Sequence, residues 1–483
     1  VSKTEIAFSA CVVEKAPDGT FSTSYQSTKE SCVNKQKVCL VSLGCPKNLV
    51  DAEVMLGHLP PDRFAITNEE LEADILIINT CAFIQDAQEE SIDTILEATR
   101  FKEHGRCRLL IVTGCLPQRY QQQLAEQLPE VDLFLGTGDA ARIVEQIDAW
   151  QQAGHQRCCI GAPDSLYEHD TPRLQASPFY SAYVKIAEGC SNHCSYCIIP
   201  QLRGPLRSRS IASIVTEVRQ RVGAGVREVN LIAQDITAYG RDRADGTCLE
   251  DLLRELVQID ELRWLRLLYA YPDGISDELI ELMATHDKIC PYLDLPLQHV
   301  ADDLLRAMNR RLDRAGIDRL VRRLRDRVPQ LTLRTSFIVG FPGETAEHFQ
   351  QLLEFVEQGH FDRVGVFRYS REEGTAAALL DNQVPEREKK KRQNKLMKAQ
   401  SRVSFRKHQA LRGQQIAVLV EGYSEETDLL LQGRAISQAP DIDGLVYITA
   451  GQANVGDIVP LQISDTTEYD LIGEIVEAEA DQP

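Results

Sequence analysis

Residues Glu188–Pro200 read EGCSNHCSYCIIP, and this stretch decides how the rest of the chain is read. Cys190, Cys194 and Cys197 stand at C-x3-C-x2-C spacing, and nothing that would supply a fourth ligand follows nearby. Structural zinc sites and ordinary iron–sulfur clusters use four thiolates or imidazoles. A loop of this spacing wraps three irons of a cubane cluster and leaves the fourth iron without a protein ligand. A zinc knuckle completed from elsewhere is the alternative, although zinc sites more often use paired C-x2-C knuckles. The loop directly follows AYVKIAE (182–188), a strand-like run. That places it at the C-terminal end of a strand, where β/α barrels carry their chemistry.

Working outward, further strands are expected at EVNLIAQ (228–234), RWLRLLYA (263–270), YLDLPLQ (292–298), LTLRTSFIV (331–339) and RVGVFRY (363–369). Helical patterns fall between them at 210–222, 249–258, 276–285, 301–307, 314–327 and 345–358. Six β/α units predict an open, partial (β/α)6 barrel over 180–410, ending in a basic helix around 386–410. Upstream, KVCLVSLG, ADILIINT, RLLIVTG and VDLFLG alternate with amphipathic helices, so 37–150 is expected to be a parallel α/β sheet domain. Residues 151–179 read as a linker. Residues 1–36 are polar and aperiodic and read as a flexible tail. The segment 414–483 has strand character with Gly and Asp turns and predicts a small antiparallel β-barrel.

The chain has 483 residues and no apolar run long enough for a membrane helix, and its first residues lack the pattern of a secretory signal. A cytoplasmic protein with no membrane partner is expected. Fourteen cysteines in such a protein point to metal or redox work rather than disulfides. Cys11, Cys32, Cys39, Cys107, Cys158, Cys159, Cys248 and Cys290 show no ligand spacing and read as small buried hydrophobes or idle thiols. The net charge of −19 is uneven: 414–483 carries fourteen acidic residues against Arg434 alone, whereas 386–413 holds eleven Lys or Arg against two Glu.

The remaining three cysteines occupy matching places: Cys45 in SLGCPKN, Cys81 in NTCAFI and Cys115 in TGCLPQ. Each follows a predicted parallel strand and precedes a helix. Strand ends of one parallel sheet share an edge, where ligands bind in open α/β folds. The intervals of 36 and 34 residues match one crossover each. Three unrelated buried cysteines would have to meet this strand-end position by chance, so a second cluster with one open iron is favoured.

The loop Cys190–Cys197, with Tyr196 before its last cysteine, resembles that of the radical S-adenosylmethionine enzymes. The resemblance implies that the open iron binds S-adenosyl-L-methionine. An electron from the cluster then splits the sulfonium, giving a 5′-deoxyadenosyl radical that abstracts unactivated hydrogen. It also implies that NLIAQD (230–235) and SFIVGFPGET (336–345) line the cofactor, with Tyr196, Gln234, Ser336 and Gly340 as candidate contacts. Gly340 and Gly343 are expected to allow close backbone approach.

Two three-cysteine clusters, a partial barrel and a terminal β-barrel together resemble the methylthiotransferase family, whose last module is called TRAM. That resemblance implies two 4Fe–4S clusters, one on Cys190, Cys194 and Cys197 and one on Cys45, Cys81 and Cys115. It also implies two S-adenosylmethionine, for methyl group and radical, with a sulfur donor and a reducing electron donor. No protein side chain is expected to act as a catalytic base. Stretches such as VSLGCPKNLVDAE and LPLQHVADDLLRAMNRR look like the RimO type, which acts on an aspartate β-carbon of small-subunit ribosomal protein S-twelve. An acidic terminal barrel suits such a basic protein, free or within the small subunit, better than RNA. The MiaB type, which modifies transfer RNA, is the alternative, and a non-catalytic iron–sulfur ribosome-binding protein is a third.

Overall fold

The computed structural model describes residues 35–424 and 427–476. The predicted tail, 1–36, lies almost wholly outside them. The chain divides into two compact units.

The first unit is built on a six-stranded, all-parallel sheet of order β2-β1-β3-β4-β5-β6. Its strands are β1 (Gln36–Ser42), β2 (Phe64–Ile66), β3 (Ile75–Thr80), β4 (Leu109–Gly114), β5 (Leu133–Leu135) and β6 (Arg157–Cys159). The central strands β3 and β4 are buried along their whole length. That explains why they read as continuous apolar runs rather than alternating ones. The residues read as linker are corrected here: 151–153 complete the helix Ile143–Ala153, and β6 pairs with β5 as the sixth strand. Arg-Cys-Cys is too short to show strand periodicity, and β2 was invisible for the same reason. From β1 the chain first turns outward to β2 and then crosses back to β3. The switch point therefore lies between β1 and β3, where open sheets of this order bind ligands beyond the strands' C-terminal ends.

The second unit holds six parallel strands in sequential order. They are β7 (Ser181–Lys185), β10 (Glu228–Ile232), β11 (Trp264–Leu267), β12 (Ile289–Asp294), β13 (Thr332–Val339) and β14 (Arg363–Arg368). These are the six units expected of the partial barrel. A two-stranded ribbon, β8 (Ala187–Glu188) with β9 (Arg207–Ser208), brackets the cysteine loop at its base. The helix Glu386–Gln409 then leads into a closed barrel. Its strands are β15 (Gln415–Ser424), β16 (Thr427–Ala435), β17 (Val446–Ala450), β18 (Ile458–Thr466) and β19 (Leu471–Ile475). The expectation of an antiparallel barrel needs one correction: β17 and β19 pair in parallel. β18 intervenes in sequence but pairs with β15 on the far side, which closes the barrel and leaves β19 to run alongside β17.

The terminal barrel is tied to the underside of the β/α barrel by buried charge. Glu228, at the start of β10, is fully buried and accepts from Arg266 Nε at 3.0 Å and from Arg434 Nη2 at 2.6 Å. Arg434 is 2% exposed and also donates to Glu421 at 2.7 Å. Tyr183 donates to Asp441 at 2.8 Å across the same junction. The one cation of the terminal module is thus turned inward, away from solvent. Among the described residues no helix is long and apolar enough to cross a membrane.

Candidate functional site

In the first unit, Cys45, Cys81 and Cys115 follow β1, β3 and β4, around the switch point. Cys45 caps the helix Pro46–Gly57 and Cys115 opens the helix Cys115–Gln127. Bringing three strand ends together leaves little room. Gly44 has φ +91°, and a Cβ there would lie 2.7 Å from Cys81 Cβ. Gly114 has φ +93°, and a Cβ there would lie 2.4 Å from Asn79 Oδ1. Ser91 holds Cys81 from both sides, its Oγ accepting from Cys81 N at 3.1 Å and donating to Cys81 O at 2.9 Å. Asn48 donates to Leu43 O at 2.9 Å and Thr80 O at 3.0 Å, which ties the β1 and β3 ends to one helix.

Sequence reading missed Arg203. It is 3% exposed, pairs with Asp51 at 2.6 Å, donates to Asn48 Oδ1, and brings Nη2 to 3.7 Å from Cys115 Sγ. Burial raises the Cys81 and Cys115 thiols, each neighbouring thiol adds to the rise at Cys81, and Arg203 pulls Cys115 back down. With burial opposing their ionisation, Cys81 and Cys115 need a positive centre to become thiolates. A metal cluster supplies one, and Arg203 offsets part of an anionic cluster's charge.

Substituting Gly44 with alanine tests this packing. The Cβ clash and the left-handed backbone are expected to displace Cys81 and to destabilise the unit by about 1–3 kcal/mol. Iron content of the purified variant should fall, whereas Gly154→Ala, with open space around it, should load fully despite its positive φ. Equal loading would show that Gly44 is not a site constraint.

In the second unit, Cys190, Cys194 and Cys197 sit on the loop that leaves β8. Cys190 N donates to Gly204 O at 3.0 Å, Cys197 N to Cys194 O at 3.1 Å, and Ser195 N to Met308 O at 3.1 Å. Burial pushes the Cys197 thiol up to about 12 and raises Cys190 too. Again a guanidinium stands alongside. Arg310 Nη1 lies 3.7 Å from Cys194 Sγ, Nη2 donates to Pro296 O, and the group stacks 3.9 Å over the Tyr271 ring. Asn192 donates to Asp235 at 2.6 Å, joining the loop to the end of β10. Arg310 and Tyr271 gave no local signal, because they meet Cys194 only through the barrel, whereas Asp235 ends the NLIAQD segment expected beside the cofactor.

The four candidate cofactor contacts fare differently. Gln234 donates to Glu188 at 2.5 Å, and Glu188 pairs with Lys185 at 2.6 Å. Gln234 Oε1 is buried without a hydrogen-bond partner among the described residues. An acceptor left open beside the cysteine loop fits a ligand donor. Tyr196 packs against the cluster of Ala301, Leu304, Met308 and Phe341. Ser336 is 9% exposed on β13, its carbonyl held by Gln298 N at 2.8 Å. Gly340, at φ +76°, has its open side filled: a Cβ there would meet Lys389 Cγ at 2.3 Å. Its lack of a side chain therefore serves packing against the helix Glu386–Gln409. Gly343 does face open space. Thr345 caps the helix Ala346–Glu357, accepting from His348 N at 3.2 Å.

Among the described residues no three His, Cys, Asp or Glu converge as ligands of one ion. Thiol chemistry, spacing and the adjacent guanidinium groups fit a cluster at both triples.

Comparison with known proteins agrees with this architecture. The sequence profile of uncharacterized protein family UPF0004 matches residues 37–136, that of the radical SAM superfamily 184–356, and that of the TRAM domain 413–476. In fold, the chain is similar to the radical S-adenosylmethionine methyltransferase TsrM from Kitasatospora setae. The TM-score is 0.52 at 15% identity, over 71% of this chain and 74% of that one. In sequence it is 61% identical over 442 residues to the ribosomal protein uS12 methylthiotransferase RimO of Geobacter sulfurreducens, covering 92% of this chain and 99% of that protein. To the protein of the same name from Syntrophotalea carbinolica it is 68% identical over 450 residues, covering 93% of this chain and 99% of the relative. A radical-SAM barrel between a parallel sheet domain and a TRAM barrel, with identity of this extent along nearly the whole length, means that the chain belongs to the RimO family of ribosomal protein uS12 methylthiotransferases.

Proposed function

We propose that the chain methylthiolates the β-carbon of an aspartate in ribosomal protein S-twelve. In this reading Cys190, Cys194 and Cys197 hold the 4Fe–4S cluster that engages S-adenosylmethionine. Cys45, Cys81 and Cys115 hold the second, where the sulfur waits. Tyr196, Gln234, Ser336 and the Gly340 backbone stand beside the cofactor, and the domains divide at 37–150, 180–410 and 414–483. When bound, the cluster and cofactor supply one-electron chemistry that removes an unactivated hydrogen and allows a methylthio group to replace it.

The chain's own residues do the rest. Arg203 and Arg310 each place a fixed positive charge 3.7 Å from one ligand sulfur, and this repeated device is the observation that carries the assignment of both triples. A guanidinium held at this distance offsets negative charge on a thiolate-ligated cluster and so eases the uptake of an electron. Glu188, held by Lys185, fixes the Gln234 amide through its nitrogen and leaves its oxygen open to a ligand donor. The substrate side is supported by the terminal barrel, whose only basic residue is buried against Glu228, so that its exposed charges among the described residues are all acidic. Such a face attracts a strongly basic protein and repels a polyanion. A low-potential reductant and a sulfur donor complete the reaction, which takes place in the cytoplasm, where the ribosomal substrate is.

Mass spectrometry of ribosomal proteins and transfer RNA from a strain lacking this chain decides the substrate. Ribosomal protein S-twelve should lose its methylthio mark while transfer RNA keeps its own. Loss from transfer RNA alone would overturn the reading in favour of a MiaB-type activity.

A further inference from the structure

The helix Glu386–Gln409 has two faces with different chemistry. Lys389, Arg392, Leu396, Ala399, Gln400 and Val403 are buried. The opposite face carries Arg387, Lys391, Lys395, Lys398, Arg402 and Arg406, all exposed. At 100° per residue these six fall within about a third of the helix circumference, a stripe about 28 Å long at 1.5 Å per residue. Lys391 lies 3.6 Å from Glu388, and Arg402 3.5 Å from Glu357. Exposed pairs of this kind are worth little and exchange readily. Arg387, Lys398 and Arg406 have no carboxylate partner among the described residues. In a chain of net charge −19, a continuous cationic ridge is not a by-product of composition.

We propose that this ridge docks on the phosphate backbone of small-subunit ribosomal RNA, so that the chain meets its substrate on a ribonucleoprotein particle. The proposal rests on the reading that the substrate is a ribosomal protein. The ridge matches a polyanion in sign, length and regularity. Its make-up separates RNA from an acidic protein partner: three of the six cations are lysine, a residue depleted at the cores of protein–protein interfaces but suited to phosphate contacts. The acidic terminal barrel and the basic ridge then divide the particle between them, one facing basic protein and the other RNA.

The test uses the full-length protein and a transcript of small-subunit ribosomal RNA, titrated by fluorescence anisotropy across a salt series. Six phosphate contacts predict a log–log slope of about −4 to −5. The combined variant Lys391→Gln, Lys395→Gln, Lys398→Gln, Arg402→Gln should reduce that slope to about −1.5 to −2 and weaken binding at low salt at least tenfold. An unchanged slope and affinity in the variant overturns the proposal. So does wild-type binding to polyglutamate as tight as to the transcript, which would point to an acidic protein instead. Methylthiolation of free ribosomal protein S-twelve should proceed at the same rate in both proteins. That measurement decides the substrate reading, and the titration decides the docking face, so the two fail separately.

Discussion

Replacing Cys190, Cys194 and Cys197 together by alanine is expected to abolish formation of 5′-deoxyadenosine from S-adenosylmethionine, whereas replacing Cys45, Cys81 and Cys115 should leave it measurable. The two triples belong to different sheets in different compact units, so removing one should leave the scaffold of the other intact. After anaerobic reconstitution the unaltered protein should hold about eight irons, and each triple variant about four. Methylthiolated product should vanish in both variants, because the second cluster is the proposed station for sulfur. A protein that saturates near four irons, or two variants that lose 5′-deoxyadenosine alike, would dissolve this division of labour. Circular dichroism melts of the variants establish that the comparison is between folded proteins.

The second large effect concerns stability. Glu228 is a single buried carboxylate facing two buried guanidinium groups. Burial opposes its ionisation, but Arg434 and Arg266 outweigh that and hold its carboxyl down at about 2. Glu228→Gln keeps the shape, leaves Arg266 without its counter-charge and leaves Arg434 with Glu421 alone. Breaking a buried pair in this way costs about 3–5 kcal/mol. The urea midpoint of the second unit should drop accordingly at neutral pH. The ionised carboxylate stabilises the fold fully above the usual glutamate value of 4.5, and that contribution is lost as pH falls from there toward 2. The gap between wild type and Glu228→Gln should therefore be constant above about pH 5 and close progressively below it. A gap that persists undiminished down to pH 3 would mean that the carboxylate's charge is not what stabilises the junction.

Much of this architecture was legible in the sequence because its signals are local. Strand–helix alternation placed the sheet domain and the six barrel units, and the cysteine spacing marked both candidate sites. What escaped reading is made of distant partners. Arg203 and Cys115 are 88 residues apart, and Arg310 and Cys194 are 116. Nothing near either arginine says that it will lie beside a thiol. The parallel pairing of β17 with β19 is likewise a product of barrel closure rather than of any pattern in those strands. Gly340 belongs with these distant partners: the position its Cβ would take is filled by Lys389, a packing constraint that no loop pattern shows.

The junction at Glu228 also has a consequence in time. Arg266 follows Glu228 by 38 residues, but Arg434 follows it by 206. At about 5–20 residues per second, translation delivers the second guanidinium roughly 10–40 s after Glu228 itself. Until then the underside of the nascent barrel has only one of its two cations and lacks the module that covers it. The barrel therefore completes its charge balance last of all, when the terminal module arrives.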